Sequence, residues 1–337
     1  MCGIFGALTS TPGFNRRDYE TFVRLTNVVR YRGPDDYGFA TFNVRTGQVD
    51  SRDSFDVFLG HRRLSVIDLS SSGRQPMPDG NGCWIIFNGE IFNFVELRGE
   101  LQAKGHHFQT HTDTEVILHV YQEYGEAGFS KLNGMWAFAL VDTANRRVVL
   151  SRDRFSIKPL YLLQLPNRVF FASEIKQLLP LLPKRELNVP VMTAFLAQGL
   201  IDHSPETFFK SISKIPSKAN VIVDLRDFSL RKCTYWLYTI CEHHKQDTVA
   251  EQLRELLKSS VRLRLRSDVK VGLLLSGGLD SSSIAVLADD MCGGRLETYS
   301  IISEDHKYSE EPYIDSICSD NRLRSHKIVF RSQDVLE

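Results

Sequence analysis

Apolar positions recur along this chain at two spacings, and the change from one to the other divides it. In the first half, short apolar runs alternate with turn-forming residues. Gly3 to Leu8 reads as a strand that starts at the second residue. Met135 to Asp142 and Arg147 to Arg152 flank Thr143-Ala144-Asn145 and predict a hairpin. Leu160 to Leu165 and Arg168 to Ala172 flank Pro166-Asn167 and predict a second, and Cys83 to Phe87 with Ile91 to Phe94 predict a third about Asn88-Gly89. Helical spacing intervenes twice. Phe94 to Leu101 leads to Gly105, and a second helix starts at Asp113 as N-cap and runs through Val116, Ile117, Val120 and Tyr121 to Gly125. Ser173 is expected to cap a short helix, Glu174 to Leu179. Pro180, Pro183 and Pro190 then set a boundary near residue 188.

From Val249 the period lengthens. Leu253, Leu256, Leu257, Val261 and Leu265 fall on one helical face, and the apolar strand Val269 to Leu275 follows. The order continues with helix Ser281 to Asp290, strand Leu296 to Ser303, helix Glu310 to Ser319 and strand His326 to Phe330. Strands alternating with helices predict a parallel, doubly wound α/β sheet. Three strands make a small one, and the chain ends at Val335-Leu336-Glu337 in mid-pattern. The expected organisation is a first domain over 2–188, a linker region over 189–245 and an incomplete second domain over 246–337.

Composition narrows the function classes. The 337 residues are 42% hydrophobic and 24% charged, with Lys+Arg and Asp+Glu balanced at 41 each, so no basic excess points to nucleic acid or an anionic membrane. No apolar run approaches the ~18 residues that span a bilayer, and the N-terminus has no basic segment followed by a signal-peptide core. Cys2, Cys83, Cys233, Cys241, Cys292 and Cys318 lack paired metal-ligand spacing, which argues against a zinc module or a disulfide scaffold and favours a reducing, cytoplasmic setting.

Two features carry chemistry. Removal of Met1 leaves Cys2 with a thiol and a free α-amine, a nucleophile with its own base, since an α-amine titrates near ~8. The alternative for Cys2 is a small buried hydrophobe. Ser276-Gly277-Gly278-Leu279-Asp280-Ser281-Ser282 lies between a buried strand and a helix, where glycine N–H groups and the helix dipole favour an anion such as a phosphate. Asp280 suits a magnesium ion on those phosphates. The loop is not a Walker A motif, because the lysine is absent; its alternative is a plain turn with serine caps.

Cys2-Gly3-Ile4, Arg32-Gly33-Pro34-Asp35, His61 to Asp68, Asn88 to Asn93 and Asp113-Thr114-Glu115 resemble the class II glutamine amidotransferase domain. With Ser276 to Ser282 the chain resembles, nearly end to end, a glutamine-hydrolysing asparagine synthetase of the bacterial AsnB type. The resemblance implies an N-terminal-nucleophile αββα sandwich followed by an ATP-pyrophosphatase-like parallel-sheet domain. It implies Cys2 as nucleophile and Asn88 and Gly89 as oxyanion donors. Arg63 then binds the α-carboxylate of glutamine and Asp113 its α-ammonium, with Leu64, Val66, Ile67 and Glu90 lining the pocket. Otherwise Arg63 is a surface ion-pair residue and Asp113 only a helix cap. For the second domain it implies ATP and Mg²⁺, with Leu275 and Ile301 at the adenosine and Ser276, Gly277, Gly278, Asp280 and Ser281 around pyrophosphate. Core packing is the strong alternative for Leu275 and Ile301.

The implied activity is ATP-dependent amidation of aspartate with nitrogen from glutamine, and the resemblance suggests a homodimer, although such synthetases carry a further serine-glycine and acidic motif that is not found between Tyr308 and Glu337. The chain is therefore expected to be a truncated or natural fragment. Three readings follow: an amidotransferase ligase acting on aspartate or another carboxylate such as a sugar uronate; a glutaminase with a vestigial second half; or a non-catalytic scaffold, disfavoured because the site residues retain usable chemistry.

Overall fold

The computed structural model describes residues 1–10, 13–240, 248–321 and 323–331. The chain divides into two compact units, Met1–Thr239 and Ile240–Glu337. In the first, the order is β1 (Gly3–Thr9), α1 (Arg16–Asn27), β2 (Asp36–Asn43), β3 (Gln48–Val49), β4 (Val57–Arg63), β5 (Met77–Pro78), β6 (Cys83–Ile91), α2 (Phe94–Ala103), α3 (Asp113–Tyr124), β7 (Gly134–Asp142), β8 (Arg147–Arg152), β9 (Tyr161–Leu165), β10 (Arg168–Ala172), α4 (Ile175–Leu178), α5 (Val189–Gln198), β11 (Ile212–Lys214), β12 (Ala219–Asp224) and β13 (Leu230–Thr234).

Among the described residues these strands form two antiparallel sheets, ordered β11-β9-β10-β1-β4-β2-β3 and β13-β12-β8-β7-β6-β5. Alternation along each strand sends one set of side chains between the sheets and the other outward. Ile4, Leu59, Ile86, Ala139, Leu150 and Val221 meet in the shared layer. Phe22 of α1 packs with Phe5, Phe58 and Phe170 on the outer face of the first sheet, while Val116 and Val120 of α3 pack with Phe87 and Phe138 on the outer face of the second. The result is a helix–sheet–sheet–helix sandwich.

Several expectations are corrected here. The segment after residue 188 is not a free linker. Its β11 pairs with β9, and its β12 pairs with β8 over Ala219–Asp224, so these strands complete both sheets of the first unit. Residues 241–247 lie outside the described residues. Asn88-Gly89 is no turn, since β6 runs straight through and pairs Asn88 with Ala137 and Gly89 with Trp136. Thr112, not Asp113, caps α3, its hydroxyl accepting from the Glu115 N–H. Ser173 caps nothing: its Oγ accepts from the Ile4 N–H at 3.0 Å and so ties down β1.

The second unit contains α6 (Val249–Arg264), β14 (Gly272–Leu274), α7 (Leu279–Cys292), β15 (Glu297–Ser303), α8 (Glu311–Asn321) and β16 (Arg324–Phe330). Its three strands are parallel in the order β14-β15-β16, with Val261, Ala285, Leu296 and Ile314 in the core. The first strand is shorter than the apolar run Val269 to Leu275 suggests, and the chain end at 335–337 lies outside the described residues. No helix among the described residues is long and apolar enough to cross a membrane.

Candidate active site

The register of β1 on β4 pairs Gly3 with Arg62, which brings Cys2 beside the residue that follows β4. There the Leu64 N–H points at Cys2 Sγ, 3.3 Å away, and the Cys2 carbonyl accepts from Arg32 Nε at 2.9 Å. The thiol opens on a cavity of about 220 Å³ that Arg63, Leu64, Val66, Ile67, Asn88, Gly89, Glu90 and Asp113 also line. All nine residues assigned to glutamine chemistry therefore share one cavity. Burial pushes the Cys2 thiol above its ordinary value, against the Leu64 hydrogen bond and the nearby N-terminal amine. Burial also holds that amine below its usual value, with Lys158 and Arg32 acting in the same direction.

Strand β6 supplies the opposite wall. On its outer edge, strand pairing with β5 stops at Ile85. Beyond it, side chains take the place of a strand. The Phe87 N–H donates to Gln75 Oε1 at 2.7 Å, and the Ile91 N–H donates to Asp113 Oδ2 at 2.8 Å. Antiparallel pairing turns alternate residues to the same edge, so the Gly89 N–H, between those two, faces the cavity. No acceptor among the described residues takes it. A side chain at Gly89 does not fit, because a Cβ there falls 2.1 Å from the Met135 carbonyl oxygen. Beside it, Asn88 is 0% exposed and neither polar atom of its side chain has a partner among the described residues. Orphaned buried amides are costly, and here they border a cavity of substrate size.

Charges at the other end suit an amino acid. Asp113 is 5% exposed and its carboxyl is raised to about 7, by burial first and by the like charge of Glu90 as well. Arg63 is not the surface residue of the alternative reading. It is buried, and its two terminal nitrogens donate to the carbonyls of Ser70 (2.8 Å), Ile67 (3.3 Å) and Asp68. A guanidinium has five N–H groups, so donors remain for a carboxylate. Gly73 leaves room for it, since a Cβ there meets Arg63 Nη2 at 2.0 Å.

Met1, Gly73, Gln75, Phe87, Thr112, Thr114, Met135 and Lys158 also line the cavity, and the sequence assigned none of them to the pocket. Lys158 matters most for the charge balance. The residue is 6% exposed, its ammonium has no hydrogen-bond or ion-pair partner among the described residues, and burial holds it below its ordinary value. Nothing in the local sequence pattern pointed to it, because its burial is decided by long-range packing.

In the second unit, β14 leads through Leu275 and the serine-glycine loop into α7, with Gly278 as N-cap. Gly277 has φ +80°, and a Cβ there falls 3.0 Å from Tyr313 Cβ. Ser276 Oγ and Ser281 Oγ lie 3.0 Å apart, and the Ser281 hydroxyl donates to the Gly278 carbonyl at 3.1 Å, bracing the loop from within. Asp280 is exposed in the first turn of α7. No group of three metal-ligating side chains converges among the described residues, so Asp280 fits a magnesium ion only as one ligand beside phosphate oxygens. Leu275 is buried in the core, its N–H donating to the Tyr299 carbonyl and its carbonyl accepting from Ser300 Oγ. Ile301 is exposed on β15. The loop thus gathers Ser276, Gly277, Gly278, Asp280 and Ser281, whereas Leu275 turns its side chain inward.

Known proteins agree with this division. A family model described as a glutamine amidotransferase domain matches residues 1–236, and one described as asparagine synthase matches residues 252–337. The chain is 33% identical to a putative asparagine synthetase [glutamine-hydrolyzing] 2 of Methanocaldococcus jannaschii, with 100% of this chain and 66% of that protein covered. It is 34% identical to asparagine synthetase [glutamine-hydrolyzing] 1 of Bacillus subtilis, with 92% and 47% covered. The chain therefore spans about half to two thirds of the length of these relatives. Among solved structures it is similar to the glutamine phosphoribosylpyrophosphate amidotransferase of B. subtilis complexed with ADP and GMP, at a TM-score of 0.52 and 14% identity, covering 98% of this chain and 81% of that one. At that identity the likeness is one of fold, the N-terminal-nucleophile sandwich.

Proposed function

Because this chain belongs to the glutamine amidotransferase domain family over residues 1–236, we propose that its first unit hydrolyses the side-chain amide of glutamine at Cys2, and that the ammonia amidates a carboxylate activated by ATP in the second. The observation that carries the reading is the outer edge of β6. Phe87 and Ile91 give their N–H groups to Gln75 and Asp113, leaving the Gly89 N–H without an acceptor among the described residues, on the cavity that the Cys2 thiol also lines.

With Met1 removed, the α-amine of Cys2 takes the thiol proton as sulfur bonds to the carboxamide carbon. The oxygen gains negative charge and is held by the Gly89 N–H and the Asn88 amide, donors that give up no other partner among the described residues. The C–N bond then breaks, the ammonium of Cys2 returns its proton to the leaving nitrogen, and ammonia departs from a γ-glutamyl thioester. Water attacks the thioester, the C–S bond breaks, and glutamate and the thiol are restored. Asp113 and Arg63 orient the substrate through its α-ammonium and α-carboxylate.

For the second unit, the asparagine synthase match over residues 252–337 and the names of the relatives favour aspartate as acceptor, with a different carboxylate, such as a sugar uronate, as the alternative. Its carboxylate oxygen bonds to the α-phosphorus of ATP and pyrophosphate leaves. Ammonia then attacks the acyl carbon, the bond to the phosphate oxygen breaks, and amide, AMP and a proton are released. The serine-glycine loop suits the pyrophosphate through its backbone N–H groups, and a magnesium ion held with Asp280 supplies further neutralisation of phosphate charge.

The test is to incubate the chain with glutamine, ATP, magnesium and aspartate and to follow glutamate, AMP, pyrophosphate and asparagine together. All four products in step support the full reading. Glutamate alone limits it to the first unit or to another acceptor, and no glutamate refutes it.

A further inference from the structure

The proposed chemistry needs a thiol and an oxyanion site that sit on different sheets. Cys2 precedes β1, whereas Asn88 and Gly89 belong to β6 in the opposite sheet. Between the sheets lies an apolar layer, which fixes their separation but offers little directional restraint. One hydrogen bond crosses it at the right place. His61 on β4 pairs with Ile4 of β1, two residues from the nucleophile, and its Nε2 lies 3.0 Å from the Phe87 carbonyl oxygen.

The other side of the same residue is held as well. Gln75 Oε1 accepts from the Phe87 N–H at 2.7 Å, and Gln75 Nε2 donates to Thr114 Oγ1 at 3.1 Å, next to Asp113. Phe87 immediately precedes Asn88, whose own side chain has no hydrogen bond to fix it. We propose, on the reading of Cys2, Asn88 and Gly89 given above, that His61 and Gln75 are positioning residues that clamp Phe87 and so aim the Asn88 amide and the Gly89 N–H at the carbon attacked by Cys2.

The chemistry of each partner fits this task. The Phe87 carbonyl can only accept, so His61 carries its hydrogen on Nε2 and leaves Nδ1 bare, which accords with the absence of a partner for Nδ1 among the described residues. Burial keeps the ring neutral by lowering its pKa to about 4. An apolar side chain would fill the same space without an unsatisfied nitrogen, so the hydrogen bond to Phe87 is what the imidazole adds. Gln75 joins the oxyanion strand to the start of α3, and thereby to the carboxylate proposed for the substrate ammonium. Nucleophile, oxyanion donors and ammonium site are linked through the two hydrogen-bonding groups of one residue.

His61→Leu removes the bond at similar volume, and His61→Gln restores an N–H donor. On the full chain, His61→Leu is expected to lower kcat for glutamine hydrolysis ~10- to 100-fold while leaving KM within about threefold. His61→Gln should recover most of the loss, and hydrogen exchange in segment 85–91 should speed up in His61→Leu alone. A His61→Leu kcat within about twofold of wild type, a loss falling mainly on KM, or a His61→Gln variant no better than His61→Leu overturns the clamp. Exchange answers independently of activity. Should the wild-type chain release no glutamate, the glutaminase reading fails, yet unchanged exchange in His61→Leu still overturns the clamp and faster exchange supports it.

Discussion

Replacing Asp113 with asparagine should make the protein more stable and the enzyme worse, with both effects set by one buried charge. Burial raises the Asp113 carboxyl from 3.8 to about 7. The folded state therefore prefers the neutral acid, and stability is lost as pH rises from the unfolded value to the folded one. Three pH units at ~1.4 kcal/mol each put the cost near ~4 kcal/mol above pH 7. With Asp113 only 5% exposed, solvent relieves little of it. Asparagine keeps an oxygen to accept from the Ile91 N–H, now at 2.8 Å, and carries no charge. Urea titration of wild type and Asp113→Asn should show nearly equal stabilities near pH 4 and a gap of up to ~4 kcal/mol in favour of the variant at pH 8. In the same variant the substrate ammonium loses its counter-charge, worth ~1.5–3 kcal/mol, so KM for glutamine should rise ~10- to 150-fold. In wild type, KM should rise as pH falls below about 7, because protonation removes the anion. A variant of equal stability at pH 8, or one whose advantage does not fade toward pH 4, refutes the reasoning.

Three other changes separate the roles assigned above. Asn88→Ala should cut kcat ~10²–10³-fold yet leave the urea midpoint nearly unmoved, since neither amide atom has a protein partner to lose; strong destabilisation would mark it as structural instead. On the chain that keeps Met1, Lys158→Met should raise the pKa of the Met1 α-amine, because the ammonium now lowers it, and the pH midpoint of amine acylation reads this; a downward or absent shift contradicts the charge assignment. Gly277→Ala forces a side chain into φ +80° and against Tyr313, a local strain of ~1 kcal/mol or more. Pyrophosphate release should fall with glutamate release intact, and equal loss of both would dissolve the division of labour between the units.

Much of the first unit was legible because its signals are local. The β7–β8 and β9–β10 hairpins, helices α2 and α3 and the strand that starts behind Cys2 follow from apolar spacing bounded by turn residues. Errors arose where the same residues serve two geometries. Asn-Gly favours a tight turn, but here the glycine is needed because β7 passes so close that a Cβ would strike the Met135 carbonyl. Thr112 and Asp113 are both cap formers. Thr112 took the cap, which left the Asp113 carboxylate to bind the Ile91 N–H instead. The strands β11, β12 and β13 were taken for linker because short edge strands gain their definition from the sheets they join.

The chain by itself determined which chemistry it carries: a cysteine at position 2, a set of amide, guanidinium and carboxyl groups in five short motifs, and a glycine-rich turn between a strand and a helix. Covalent sequence fixes the identity and order of such groups, and local propensity largely fixes the elements that bear them. Tertiary structure alone decided which groups are buried, paired or left free. The Gly89 N–H is available because Gln75 and Asp113, from other parts of the chain, take the N–H groups on either side. Lys158 is a buried ammonium, and His61 reaches β6 only because two sheets stack. Desolvation and hydrogen-bond satisfaction depend on every neighbour at once, and those neighbours are brought together by long-range pairing that no stretch of sequence contains.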